Sequence, residues 1–149
     1  MSNIYFYILL ALAAGAMMPT QAATNNKMAG IVESPILAAF ISFFVGTVAL
    51  LVYMVVSGVS IANLTSAKEA PAIAWIGGFL GAFFVTAAVM LVPRLGVAMT
   101  FSLIIAGQMI VTLIIDHFGL LGVPMKEVSL ARIFGIALIA GGVVLIRKF

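Results

Sequence analysis

Three pairs of polar side chains stand out in an otherwise apolar sequence: Gln21 and Asn25, Gln108 and Thr112, and the adjacent Asp116 and His117. The first two pairs are spaced i, i+4, which places both members on one face of a helix. Amides and hydroxyls in such a row either bind a polar group of a substrate or hydrogen-bond a neighbouring helix, the latter worth about 0.6 kcal/mol on average in lipid. Asp116 and His117 join a carboxylate to the residue type that changes charge near neutral pH, the components of a proton relay or of a cap at a helix end. Bond-making chemistry has no foothold. There is no GxSxG, phosphate loop or HExxH, so no catalytic residue is expected. With no cysteine and one histidine, no protein-only metal site or cofactor is expected either.

The elements that must position these residues follow from composition. Of the 149 residues, 65% are hydrophobic and 7% charged, against roughly 45–50% and 25% in ordinary soluble domains. A soluble fold of this size could not hide so much apolar surface. The eleven charged residues (seven basic, four acidic) leave uncharged runs over Met1–Asn26, Ser34–Ala67, Ala70–Pro93, Leu95–Ile115 and Ile133–Ile146. Crossing about 30 Å of hydrocarbon takes roughly 20 apolar residues. Four runs suffice, and the fifth does so if Arg132 and Arg147 snorkel. The expected fold is an all-α membrane protein, one transmembrane domain over 1–149 with spans at about 4–23, 35–57, 71–92, 95–115 and 130–147.

Local signals set the boundaries. Pro19 falls inside the first span, and Thr24–Glu33 reads as a polar connector or short interfacial helix. Ser34-Pro35 is an N-cap followed by a proline at the first helical position. Gly58–Glu69 is the most loop-like stretch, Pro71 opens span 3, Pro93-Arg94-Leu95-Gly96 is a short turn, and Ser129 can cap span 5. Small residues recur every fourth position as Ala38/Ser42/Gly46 in span 2 and Ala98/Ser102/Ala106 in span 4. Span 3 has two such rows, Ala74/Gly78/Ala82 and Gly77/Gly81. Such rows let helix backbones approach closely, so Gly77, Gly78 and Gly81 are candidates for helix packing or for contact with a second subunit. Trp75 is placed as an interfacial anchor.

The net charge of +3 does not point to nucleic acid, because the basic residues are scattered between spans and make no patch. The first segment has the apolar core of a secretory signal but no Lys or Arg before it, and it reads as a span. No carboxylate falls in the middle of any span, whereas a proton-coupled exporter of organic cations would be expected to carry one.

The order Gln21…Asn25, Ser34-Pro35, Phe43…Gly46, Trp75…Gly77-Gly78…Gly81-Ala82-Phe83 resembles the YdcZ-like family. Pro93-Arg94-Leu95-Gly96, Gly107-Gln108, Asp116-His117-Phe118-Gly119 and the glycine-rich fifth span extend the likeness along essentially the whole chain. That resemblance implies a multi-pass protein of the bacterial inner membrane in the drug/metabolite transporter superfamily, whose members occur as five-span chains or ten-span fusions. A five-span chain then corresponds to half of an inverted-repeat transporter and needs a partner in the bilayer. The expected function is a small secondary transporter, moving a small neutral or amphipathic metabolite or drug by alternating access. Gln108, Gln21, Asn25 and Thr112 would contact the substrate. A channel-like pore and a non-transporting subunit of a larger complex are the alternatives. The basic residues divide as Lys27, Arg94, Arg147 and Lys148 on one side and Lys68, Lys126 and Arg132 on the other. So small a bias leaves orientation weakly determined, which suits an antiparallel homodimer of dual topology.

Overall fold

In hydrocarbon the backbone must satisfy its own hydrogen bonds, and a helix does so within one segment. The computed structural model describes residues 4–148, and over these the chain is helical, without a strand. Five helices are long and apolar enough to span a membrane: α1 (Ile4–Val32), α2 (Pro35–Val56), α3 (Ala72–Leu95), α4 (Val97–Phe118) and α5 (Leu130–Lys148). The expected fold class is therefore observed.

The boundaries differ from expectation in three places, each for a local reason. First, α1 does not stop near Ala23 but continues through Thr24–Val32. Polarity alone does not stop a helix. This stretch holds no proline or internal break, and Thr24 satisfies its hydroxyl by donating to the Gln21 carbonyl at 2.9 Å. At 29 residues the helix is about 43 Å long, beyond the roughly 30 Å of hydrocarbon, so one end can be polar. Second, the loop-like Gly58–Glu69 is largely a 3₁₀ segment, Ile61–Glu69, started by Ser60 Oγ accepting from the Ala62 N–H at 3.3 Å. Third, α3 passes Pro93 and ends at Leu95, because a proline so near the helix end removes a single bond. Only Gly96 then separates α3 from α4, and its φ of +77° is a conformation that glycine adopts without strain.

Other signals are met as read. Ser34 is extended and its Oγ accepts from the Leu37 N–H at 3.3 Å, with Pro35 beginning α2. Ser129 Oγ accepts from the Arg132 N–H at 3.3 Å at the start of α5.

The chain divides into two compact units, the first ending at Pro93 and the second beginning at Arg94. In the first, α1 packs on α2. Ala39 forms a buried cluster with Val85 and Val89 of α3, and Ala29 and Phe84 pack against it. In the second, α4 packs along α5. Few residues in any helix are buried: Ala22 and Asn25 in α1, Ala38 and Ala39 in α2, Val85, Ala88, Val89 and Val92 in α3, Thr100 in α4 and Val143 in α5. Most apolar side chains thus face outward, as lipid allows.

Glu33, between α1 and α2, has a φ of +54°. A non-glycine residue held there costs about 1–2 kcal/mol, and glycine at this helix-terminal position relieves it. Glu33→Gly is expected to stabilise the protein by about 1 kcal/mol, read as a rise of a few degrees in thermal unfolding in detergent. A lower midpoint would show that the carboxylate makes a contact that outweighs the backbone strain.

Candidate functional site

Gln108 lies midway along α4, exposed, and its amide makes no hydrogen bond among the described residues. Thr112, one turn on, is also exposed. It lines a groove of about 320 Å³ together with Met109, Leu113, Asp116, Arg132 and Ile136. That volume is at the lower end for small-molecule sites. The groove is apolar along its length and polar at the end where α4 stops.

At that polar end Asp116 is held by α5. Its Oδ2 accepts from Arg132 Nη1 at 3.3 Å, with the two side chains 26% and 34% exposed. An ion pair this open to solvent adds at most about 1 kcal/mol, so its value is positional. The same Nη1 donates to the Lys126 carbonyl at 3.4 Å, and the Lys126 N–H donates to the Asp116 carbonyl at 2.7 Å. His117 Nδ1 accepts from the Val128 N–H at 3.3 Å, and its ring meets Phe118 edge-on at 4.7 Å between centroids. Asp116 and His117 therefore clasp the connector running from Gly119 to Ser129. Gly119 ends α4 in the left-handed conformation, φ 59°, with a carbon placed there only 3.4 Å from Met125 Cβ and from the Val123 carbonyl oxygen. His117 also lines a second, apolar groove of about 320 Å³ with Ile110, Leu113, Ile114, Val128 and Ile136.

In the first unit, Gln21 Nε2 donates to Ser42 Oγ at 3.4 Å, tying α1 to α2. Thr20 and Thr24 beside it donate to carbonyls of their own helix. Those three residues border a shallow, open face of α1 with Ala13, Ala16 and Met17. Asn25 is buried, and its Nδ2 has no hydrogen-bond partner among the described residues. Burial without a partner costs about 1–3 kcal/mol for an amide.

The glycines of α3 divide. A side chain begun at Gly81 would meet the Phe43 ring of α2, Cζ at 3.4 Å and Cε1 at 3.7 Å, whereas beyond the helix's own neighbouring backbone no atom of the described residues lies within 4 Å of such a position at Gly77 or Gly78. Gly81 is an internal contact, and the faces of Gly77 and Gly78 are open. Ser42 and Arg132 were not among the expected site residues. Ser42 appeared only in a small-residue row, and nothing in the spacing of Arg132 from Asp116 across a Gly- and Pro-containing connector marks them as partners.

The profile of the family described as "Putative inner membrane exporter, YdcZ" matches residues 6–145. The chain belongs to this family. The YdcZ likeness of the separate motifs thus extends over nearly the whole sequence, and the protein is a multi-pass protein of the inner membrane. Membership supports a membrane transporter and a role other than catalysis. No curated relative and no solved structure matches the chain.

In this YdcZ-family chain, the Phe43 ring leaves room for a methyl group at Gly81 but not for a branched side chain. Gly81→Ala is expected to melt close to the wild type. Gly81→Leu should lose about 1–3 kcal/mol to overpacking, whereas a leucine at Gly77 meets nothing within the folded unit, so any loss it causes would report contact with a second chain. Equal melting of Gly81→Leu and wild type in detergent would mean that Phe43 swings aside without cost.

Proposed function

We propose that the chain is half of a secondary transporter, working as an antiparallel homodimer that moves small neutral or amphipathic metabolites or drugs by alternating access. The observation that carries this reading is the Gln108 amide, exposed midway along an apolar helix with no partner among the described residues. Facing lipid, such a group would cost several kcal/mol. Facing a second chain or a polar cavity it is satisfied, and inverted transporter halves enclose such a cavity near the membrane midplane. Thr112 continues the same face toward the groove at Asp116 and Arg132. Gln21 and Asn25 are the corresponding contacts in the first unit, and the open faces of Gly77 and Gly78 suit a close crossing with the partner copy.

Coupling is assigned to Asp116 and His117. Nδ1 of His117 accepts the Val128 N–H, so a proton placed on that nitrogen turns an acceptor into a donor and releases the connector before α5. Asp116, already paired with Arg132, is the adjacent carboxylate. Proton movement would in this way shift the α4–α5 end of the groove.

Counterflow in proteoliposomes, with a panel of radiolabelled neutral metabolites and amphipathic drugs, tests the transport reading. The expected result is a flux that saturates and exchanges. In Gln108→Ala the saturable component should be lost while thermal unfolding stays within a degree or two. A flux that rises linearly with the gradient would indicate a pore, and undiminished counterflow in Gln108→Ala would remove Gln108 from the site.

The absence of native cysteine lets a single introduced thiol report orientation. Ser66→Cys lies in the 3₁₀ segment that precedes α3 and Leu95→Cys at the last residue of α3, and neither alters the Lys/Arg balance. Dual topology predicts partial labelling of both variants by an impermeant reagent added from the periplasm. Labelling confined to one variant would establish a single orientation and rule out the antiparallel homodimer.

A further inference from the structure

Asn25 occupies a stretch of α1 between two contacts with the rest of its unit. One turn before it, Gln21 bonds Ser42 of α2; one turn after it, Ala29 packs on the cluster of Ala39, Val85 and Val89. Asn25 is 7% exposed and its neighbour Ala22 is 3% exposed. The nearby donors Thr20, Gln21 and Thr24 are all bonded, yet Asn25 Nδ2 bonds nothing. A leucine of similar shape would avoid this penalty altogether. Among the described residues the fold supplies this donor with no acceptor, so a group outside the folded chain would satisfy it.

The charges nearby decide what that acceptor is. Helices α1 and α2 contain no acidic residue, and neither does α3. The only cation of α1, Lys27, is exposed and, two positions on, lies about 200° around the helix from Asn25. Along α1 no charged side chain lies beside Asn25, Lys27 being round the helix and Glu33 two turns on, so an anion or a cation brought there would lose its hydration with little counter-charge to replace it. An uncharged oxygen meets no such penalty. The neighbouring Gln21–Ser42 bond, at 3.4 Å, is long for its type and easily exchanged, and it leaves the Gln21 carbonyl oxygen free to accept.

We propose that Asn25 Nδ2 donates to an uncharged carbonyl oxygen of the transported molecule, with the Gln21 side-chain oxygen accepting from an adjacent N–H, so that the site selects carboxamide-like compounds. This rests on the transporter reading and narrows its substrate class.

Benzamide, benzoate and benzylamine share a ring and differ in charge, and thermal unfolding of the full chain in detergent can be followed with each at millimolar concentration. The wild type should be stabilised by a few degrees by benzamide and not by the two ions. Asn25→Leu, without ligand, should melt at or above the wild type and lose the benzamide shift, and Asn25→Ala should lose the shift as well. Should Asn25→Leu fail to fold, the Ala variant carries the test. The proposal is overturned if benzamide does not stabilise the wild type, if an ion stabilises it more, or if the variants keep the shift. It is also overturned if both unliganded variants melt several degrees lower, since the amide would then be serving the fold. Saturable counterflow of a compound without a carbonyl would leave the transporter reading standing while overturning this one.

Discussion

Hydrocarbon offers no hydrogen bonds, so a polar group within it must find a partner in protein, ligand or trapped water. The organisation of this protein follows from that condition. Its backbone is closed into five helices, and its polar side chains either turn back on their own helix or reach a neighbour. Thr20, Thr24, Thr47 and Thr100 take the first course, each donating to a carbonyl three or four residues earlier. Gln21 takes the second through Ser42. Some amides take neither, two of them within the spans at positions that matter. Gln108 is exposed in the middle of α4, and Asn25 is buried in α1 with its Nδ2 unmet. These two stand out as the mid-span amide and the buried amide that have no hydrogen bond among the described residues.

Packing is sparse for the same reason. Lipid tails are as apolar as leucine, so exposing Phe79, Phe83 or Leu138 carries no penalty, and helices associate where small residues allow close approach. The buried set is accordingly rich in alanine and valine. The ring of Phe43 settles over Gly81, and Ala29 reaches Ala39, Val85 and Val89. An arrangement held by such modest contacts is suited to repacking between conformations.

The polar clasp at the end of α4 is of another kind. Asp116, His117, Arg132 and the backbone of Lys126 and Val128 hold a connector that has no regular structure for most of its length. None of these bonds is strong alone, yet together they define where α5 begins relative to α4. The same groups border the apolar groove that runs between these helices, so the clasp and the groove share Asp116 and Arg132.

Much of this was legible in the residues themselves. The number and order of spans follow from uncharged runs, since lipid penalises charge at any position in the middle of a helix. Ser34-Pro35 and Ser129 marked helix starts because capping needs only a hydroxyl a few atoms from its own backbone. The family, too, could be read from short motifs. Other features required the tertiary structure. The polar look of Thr24–Val32 suggested a connector, but the segment continues as helix, with Ala29 packed against residues of α2 and α3. Gly77 and Gly81 look alike in sequence, and only the position of Phe43 separates an internal contact from an open face. That Asp116 meets Arg132, or that Gln21 meets Ser42 while Asn25 meets nothing, depends on how distant segments are brought side by side. Local chemistry determines where a helix forms and ends; which of its polar atoms remain unpartnered is decided only when the helices pack.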